Sequence, residues 1–301
     1  MAAMETTLLR GEMRHDEPLS LHTSWRVGGP ARRFYRPADS SDLLLFLTTL
    51  DLDEPLFWLG LGSNLLVRDG GFAGTVIAVQ GRLEGISMEG ESVLRVEAGL
   101  SCASVARFAS RQGLTGAEFL AGIPGTMGGA LAMNAGAFGG ETWQQVETVE
   151  TVDRCGVVRQ RQPEEFEVGY RYVKGPDDEW FLAARLRLER GDSTSAQQSV
   201  RQLLAERAEK QPIGLPSCGS VFRNPPGDYA ARLIEAADLK GVAIGAARVS
   251  MKHANFIINE GGARASEIEQ LIEMVRQKVF VNSGIELQLE VHIVGLGESG
   301  R

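Results

Sequence analysis

The stretch GAEFLAGIPGTMGGALAMNAGAFGG spans residues 116–140 and is the most distinctive part of the chain. It holds eight glycines and six alanines, and Glu118 is its only ionisable side chain. Large apolar residues run through it from Phe119 to Phe138, which indicates a buried segment rather than a surface linker. Because glycine lets a ligand approach the main chain closely, the stretch suits backbone wrapped against a large, flat, partly apolar ligand. A glycine-rich packing segment between tight strands explains the composition equally well.

A second glycine-rich segment, Gly60-Leu-Gly-Ser-Asn64, follows the apolar run 56–59, which predicts a short buried strand. Its glycines expose backbone N–H groups, and Ser63 and Asn64 add side-chain donors, a combination typical of a phosphate cradle. It is not a dinucleotide fingerprint, because Leu65 stands where a glycine is needed, and no Gly-Lys-Ser/Thr follows as in a P-loop. A plain glycine hairpin is an equally good interpretation.

Several polar residues are candidates for chemistry, although none stands out alone. Arg26 precedes the turn signal Gly28-Gly29-Pro30, where an anion site is one interpretation but an ordinary surface arginine is favoured. Arg171 follows an acidic, aromatic turn region, and Ser220 lies in a loop dense in turn residues; for each, a structural role is the commoner outcome. Glu290 falls on the polar face of an alternating final strand, which favours a surface carboxylate.

Hydrophobic periodicity and turn signals predict an α+β chain, with no βαβ repeat in its first half. The predicted elements of that half are helices over 40–50, capped by Ser40 or Ser41, and 101–112, with strands over 56–59, 65–67, 76–79, 93–96, 146–152, 157–161 and 180–188. A polar joint at 192–196 leads to predicted helices over 199–210 and 229–239, a third that opens with a Ser266–Glu269 capping box, and a strand over 287–293.

The composition sets limits on the class of protein. With 301 residues, 43% hydrophobic and 23% charged, the chain is long enough for two or three ordinary globular domains. A net charge of −8 argues against a general binder of nucleic acid or anionic membranes. We expect no membrane span and no secretory signal. Three distant cysteines and four dispersed histidines predict a reducing cytoplasm, no disulfide framework and no metal site.

Taken together and in order, these motifs resemble the UDP-N-acetylenolpyruvoylglucosamine reductase family. The pieces are HTSWRVGGPA, LGLGSNLLVRDGGFAG, the 116–140 stretch, GYR, CGSVFRNP and the late LQLEV strand, from Thr23 to about Val294. The central stretch and GSVFRNP are highly specific to the family. The short pieces GYR and LEV support the resemblance only through their order and context in the chain. The resemblance implies an oxidoreductase with noncovalent FAD that uses NADPH on the enolpyruvyl ether of a UDP-sugar, in peptidoglycan precursor synthesis.

The resemblance also implies a fold and a division into domains. It is a two-subdomain FAD-binding fold of the vanillyl-alcohol-oxidase type, followed by a smaller α+β substrate-binding domain. On this chain we place a flexible tail at 1–16, the first FAD-binding subdomain at 17–80, the second at 81–193 and the substrate domain at 194–301.

The family's functional residues map onto matching positions. The catalytic trio corresponds to Arg171 for the substrate carboxylate, Ser220 as proton donor and Glu290 on the enolate side, with hydride leaving flavin N5. Tyr170, Arg223 and Asn224 would bind the substrate. The residues expected at the flavin are Arg26, Gly60, Gly62, Ser63, Asn64, Gly122, Ile123, Pro124, Gly125, Thr126, Gly128, Gly129, Asn134, Ala135 and Gly136.

One local departure and one rival function accompany this interpretation. Tyr172-Val173-Lys174 follows Arg171, where the family commonly has Ser or Thr, so the packing of that loop is open. The rival is an FAD-dependent alcohol or hydroxy-acid oxidase of the same fold. Such oxidases often tether their flavin through His or Cys, and neither residue occurs in 60–64 or 116–140. A binding protein without turnover is a third reading, which the intact trio argues against.

Overall fold

The computed structural model describes residues 8–297. The helices are α1 (Ser40–Thr48), α2 (Cys102–Arg111), α3 (Met127–Met133), α4 (Ser193–Lys210), α5 (Ala230–Ala236) and α6 (Ala265–Ser283), with 3-10 turns at Leu19–Leu21, Glu118–Gly122, Thr142–Gln145 and Pro163–Glu165. The strands are β1 (Glu12–Pro18), β2 (Pro30–Arg36), β3 (Leu56–Leu59), β4 (Leu65–Val67), β5 (Phe72–Ala78), β6 (Ile86–Met88), β7 (Val93–Glu97), β8 (Leu114–Thr115), β9 (Gly136–Ala137), β10 (Gly140–Glu141), β11 (Val146–Asp153), β12 (Val158–Arg161), β13 (Glu167–Gly169), β14 (Tyr172–Lys174), β15 (Glu179–Arg187), β16 (Glu189–Arg190), β17 (Ala243–Ile244), β18 (Ala247–Val249), β19 (Ile257–Asn259) and β20 (His292–Val294).

The first sheet has the order β1-β2-β5-β3, with β2 and β3 both parallel to β5 and connected through α1. Its edge strand β1 pairs antiparallel with β2. The predicted tail over 1–16 is therefore wrong for residues 12–16, while residues 1–7 lie outside the described part. Hydrophobic periodicity does not predict β1, because an edge strand can be almost wholly polar. Its Arg14 forms ion pairs with Glu12 and Glu17 and does not enter the core.

The second sheet, β12-β11-β15-β7-β6, is antiparallel throughout, and the strands predicted over 146–152 and 157–161 are confirmed as β11 and β12, which form a hairpin. Helices α2 and α3 pack on it through a core that includes Val105, Met127 and Leu131. Helix α4 also contacts α2 and the turn Glu118–Gly122, and its Val200 joins the same core. The domain boundary at residue 194 stays a prediction, and α4, which lies after it, packs on elements that lie before it.

The third unit is the small sheet β17-β18-β19 with α5 and α6. Its core takes in Trp25 and Leu66 from the N-terminal part of the chain, and β20 pairs parallel with β4. The predicted strand 287–293 is not continuous: regular pairing begins at His292, and Leu289 makes one isolated bridge to Phe222. This pairing ties the end of the chain to the segment that follows Asn64.

Helix starts differ from the predictions where the capping group is not the nearest hydroxyl. The cap of α1 is Asp39, whose carboxylate accepts the Asp42 N–H at 2.9 Å, rather than Ser40 or Ser41. Helix α4 starts at Ser193, capped by Asp192, so the predicted polar joint forms the exposed first turn of the helix. A charged acceptor satisfies the free N–H groups of a first turn at least as well as a hydroxyl does.

The start of α6 shows a cap that no local pattern could reveal. The carboxylate of Asp69 accepts the N–H groups of Ala265 and Ser266, each at 3.0 Å. The capping box predicted over 266–269 is therefore wrong, because Ser266 already lies inside the helix. None of the helices between residues 8 and 297 is both long and apolar enough to cross a membrane.

Candidate active site

The two glycine-rich segments meet at a cavity of about 450 Å³. Gly60–Leu65 forms one wall, Gly122–Thr126 and part of the stretch up to Phe138 form another, and the Cys218–Ser220 loop closes a third side. Arg171 and Glu290 also line this cavity. Residues separated by more than 200 positions in the sequence are thus brought to one concave surface, the usual setting for a ligand site.

Glycine at position 60 is required for the two segments to meet. A Cβ on Gly60 would lie 2.4 Å from Thr126 Oγ1, and one on Gly62, whose φ is +65°, would lie 2.1 Å from the His22 carbonyl oxygen. Some of these glycines are therefore needed for close packing between segments, which was one of the two interpretations of the glycine-rich sequence. Gly125 and Gly129 also line the cavity, but a Cβ on either would have its nearest neighbour 3.6 Å away, so packing does not require glycine there and the two interpretations apply to different glycines.

Most of the expected flavin residues line the cavity. They are Gly60, Gly62, Ser63, Asn64, Gly122, Ile123, Pro124, Gly125, Thr126, Gly129, Ala135 and Gly136. Arg26, Gly128 and Asn134 are not among the lining residues. Gly128 instead packs on the residue after β7, since a Cβ there would come within 2.9 Å of the Ala98 Cβ, and Arg26 is exposed, with φ +58°.

Asn134 has a structural role in the described conformation. It ends α3 in the left-handed region, and it is buried. Its amide donates to Glu141 Oε2 at 2.9 Å and to the Gly169 carbonyl at 3.0 Å, and its Oδ1 accepts the Trp143 N–H. These bonds fasten the β13–β14 hairpin to the glycine-rich stretch.

Arg171 occupies the two-residue turn of that hairpin, with Gly169 paired to Tyr172. Its φ of +54° lies in the left-handed region, which favours glycine and costs a residue with a Cβ about 1 kcal/mol or more. An arginine kept in a strained turn is an indicator of function. The residues that follow Arg171, Tyr172–Lys174, form β14.

The guanidinium of Arg171 is held from three sides. Its Nε donates to Glu290 Oε1 at 2.9 Å, Nη2 donates to the Gly136 carbonyl at 2.7 Å, and Nη1 donates to the Asn134 carbonyl at 3.4 Å. A guanidinium has five N–H donors, so two remain, one on each Nη. Two fixed donors are the number that a carboxylate needs for a two-pronged contact.

Glu290 is partly buried against this arginine, contrary to the surface position predicted from strand alternation. Its side chain is 13% exposed, and its backbone N–H donates to the Val221 carbonyl at 2.8 Å. Burial raises the pKa of Glu290, while the charges of Arg171 and Arg223 oppose that shift. Glu290 and His292 line the cavity, whereas Gln288 on the same face is exposed and does not, and a single strand's pattern cannot distinguish these two outcomes.

Ser220 lies on the opposite loop, directly after Gly219, whose φ is +79°. Among residues 8–297, its hydroxyl has no hydrogen-bond partner. The loop is fixed through its backbone, because Val221 accepts from Glu290 and the Arg223 N–H donates to the Gln288 carbonyl at 2.9 Å. The serine hydroxyl is thus free to donate within a wall that is itself rigid.

The three expected substrate residues lie beside the cavity rather than among its lining residues. Tyr170 is 47% exposed, with the Arg171 guanidinium 5.2 Å from its ring centroid. The Nε of Arg223 is buried without a partner in the described chain. Asn224 Oδ1 accepts the Ala230 N–H at 3.1 Å and so caps α5, which leaves its role at a substrate a prediction.

The cavity also contains residues that the sequence did not single out. Arg207 and Gln211, joined by a 3.0 Å hydrogen bond, come from the end of α4. His292 lines it as well, and desolvation together with the charge of Arg223 lowers its pKa. No local motif marks Arg207, and His292 could be suspected only because it follows Glu290 by two positions on the same face.

Comparison with known proteins gives one consistent family over nearly the whole chain. Residues 31–160 match the model of the FAD binding domain, and residues 211–294 match the model of the C-terminal domain of UDP-N-acetylenolpyruvoylglucosamine reductase. The reductase of that name from Alkalilimnicola ehrlichii is 62% identical, covering 99% of this chain and 100% of its own length. That from Legionella pneumophila strain Corby is 58% identical, covering 98% and 96%. The crystal structure of the Thermus caldophilus reductase is 33% identical with a TM-score of 0.83, covering 96% of this chain and 100% of the other.

Proposed function

This chain belongs to the UDP-N-acetylenolpyruvoylglucosamine reductase family, and we propose that it reduces the enolpyruvyl ether of a UDP-sugar to the corresponding lactyl ether with electrons from NADPH. It is an oxidoreductase with an FAD-binding domain of the two-subdomain type. The observation that carries the proposal is the meeting of the Arg171–Glu290 pair and Ser220 at one glycine-lined cavity. The product would serve peptidoglycan precursor synthesis.

The cavity has features that suit noncovalent FAD. Its walls include the glycine-rich segments 60–64 and 122–136, where a flat ring system can lie against the main chain. The N–H groups of the first turn of α3 are used within the protein, by the carbonyls of Leu100 and Ala98 and by Thr126 Oγ1, so we expect the phosphates at the 60–64 loop instead. When bound, FAD would accept a hydride from NADPH and deliver it to the substrate alkene. A tether is not expected, since neither glycine-rich segment contains His or Cys.

Hydride addition to the terminal alkene carbon places negative charge on the adjacent carbon and its carboxylate. The two remaining donors of Arg171 can bind that carboxylate and stabilise the enolate, because fixed donors in a dry site are most effective where charge develops. The hydroxyl of Ser220 then supplies a proton to the carbon. Glu290 orients Arg171 and, with its raised pKa, can hold a proton closer to neutral pH than an ordinary glutamate.

The rival function, an oxidase, differs in the acceptor of the electrons from the reduced flavin. An oxidase would pass them to oxygen and needs no acid for a substrate carbon, whereas Ser220 and Arg171 form a pair suited to quenching an enolate. The family assignment and this pair favour the reductase. The UDP-sugar is the partner we expect, with NADPH contacts in the same cavity, since the sequence contains no second nucleotide-binding motif.

We expect NADPH consumption by the purified protein to depend on the enolpyruvyl sugar nucleotide. The experiment follows the loss of NADPH absorbance in the ultraviolet, with and without that substrate. Peroxide formation in air is measured in the same samples. Substrate-dependent consumption, with a product heavier than the substrate by two hydrogen atoms and little peroxide, is the expected result. Rapid consumption with stoichiometric peroxide and no reduced sugar would support the oxidase instead.

A further inference from the structure

We propose that Asn64 is a positioning residue, whose side chain holds the Glu290 segment in place so that substrate reduction, rather than flavin reduction, depends on it. The inference rests on the proposed function and refines the expectation that Asn64 is a side-chain donor to a flavin phosphate. In this proposal the side chain of Asn64 supports Glu290, which lies 226 positions later in the sequence.

Asn64 contacts the Glu290 segment at two points. Its side-chain Nδ2 donates to the Glu290 carbonyl at 2.9 Å, and its own carbonyl accepts the His292 N–H at 3.0 Å. The segment from 290 to 292 is therefore bracketed by one residue. Because β4 begins directly after Asn64 and pairs with β20, which begins at His292, this bracket is where that pairing starts.

The donors of Asn64 are already used within the protein. An amide nitrogen carries two N–H groups. In the structure Nδ2 contacts the Glu290 carbonyl at 2.9 Å and Met133 Sδ at 3.4 Å. The remaining polar atom, Oδ1, is an acceptor, and an ionised phosphate offers it no proton. A phosphate at this loop would therefore use the backbone N–H groups and Ser63.

The opposite side of the Glu290 segment is held by the Ser220 loop. Glu290 donates its N–H to the Val221 carbonyl at 2.8 Å, and Gln288 accepts from the Arg223 N–H at 2.9 Å. Loss of the Asn64 side-chain bond would leave the Glu290 carbonyl without its partner, and only the backbone bond from the His292 N–H would hold this side of the segment to Asn64. The carboxylate of Glu290 would then shift relative to Arg171 and Ser220, and a displacement of about 1 Å at such a site can cost on the order of 100-fold in rate.

The test is Asn64→Asp, which keeps the shape of the side chain and replaces the donor with an acceptor that faces a carbonyl. With FAD saturating, we expect reduction by NADPH within about twofold of wild type and reoxidation by the sugar nucleotide slower by roughly 10- to 100-fold. The deficit in reoxidation should shrink as the pH falls, because the carboxyl group of this variant can donate again once it is protonated. A merely structural role would slow both half-reactions and would not respond to pH in this way.

Hydrogen exchange gives a readout that does not depend on turnover. In Asn64→Asp, amides 288–294 should exchange faster than in wild type, since their bonds to both flanking loops weaken. Asn282→Asp is the matched control, because its amide donates to the Ala236 carbonyl at 3.3 Å on the exposed side of α6. Unchanged exchange at 288–294, or equal slowing of both half-reactions, would overturn the inference. Failure of the wild-type protein to be reoxidised by the sugar nucleotide would refute the proposed function instead, and exchange at 288–294 would still decide whether Asn64 holds the segment.

Discussion

Replacement of Ser220 with Ala is expected to leave flavin reduction by NADPH intact and to slow reoxidation by the enolpyruvyl substrate by roughly 10²–10⁴-fold, the usual contribution of a general acid. Reduction needs no proton donor at the sugar's carbon, whereas the enolate formed by hydride addition must be protonated. The Ser220 hydroxyl has no hydrogen-bond partner in residues 8–297, so its removal breaks no described contact. The fold should therefore be preserved.

Stopped-flow absorbance of the flavin, measured separately for each half-reaction, checks this expectation. Ser220→Cys is the companion variant and should keep part of the reoxidation rate, because a thiol can still give a proton. If Ser220 only shapes its loop, both half-reactions should weaken together or neither should change. Reoxidation of the Ala variant at the wild-type rate would remove Ser220 from the mechanism.

Arg171→Lys should lower the turnover number by about 10²–10³-fold, the cost of losing one oriented donor to a developing oxyanion. Lysine keeps the positive charge but replaces a planar fork with a single ammonium, which cannot hold Glu290, Gly136 and a substrate carboxylate in fixed directions. The backbone strain at this turn is the same for both residues. The loss should therefore appear in catalysis rather than in folding.

Steady-state kinetics and the thermal midpoint of the variant measure the two effects separately. Arg187→Lys is the matched control, since it makes the same change in an ion pair with Glu147, and the Arg187 side chain is 61% exposed. The control should retain turnover. Near wild-type turnover in Arg171→Lys would assign Arg171 to holding the hairpin and Glu290, and not to the substrate.

Local patterns predicted the elements that have a strong period and their own stop signals. The helix predicted over 101–112 is α2 (Cys102–Arg111), and the strand predicted over 56–59 is β3 (Leu56–Leu59). Such elements bury one face, so their apolar residues recur at a regular spacing that can be read from the sequence. Element ends were less certain where the capping group comes from elsewhere, as with Asp69 at α6.

The site could be predicted only in part, because its geometry depends on contacts that are remote in sequence. Strand alternation placed Glu290 opposite the apolar face, but whether that face meets solvent or a cavity depends on Arg171, 119 positions earlier. The glycine-rich stretch predicted close approach of backbone, yet Gly128 serves helix packing. The family resemblance identified Arg171 and Ser220 as candidates. The structure shows the hydrogen bonds that restrain Arg171 and a Ser220 hydroxyl without a partner in residues 8–297.

The visible spectrum of the wild-type protein under anaerobic conditions tests the central claim most directly, that one flavin cavity carries electrons from NADPH to an enolpyruvyl sugar nucleotide. The account predicts a yellow protein whose FAD is released into the filtrate by acid, whose flavin absorbance is bleached by one equivalent of NADPH, and whose oxidised spectrum returns with one equivalent of the sugar nucleotide in the absence of oxygen. A bleached flavin that stays reduced until air is admitted would contradict it.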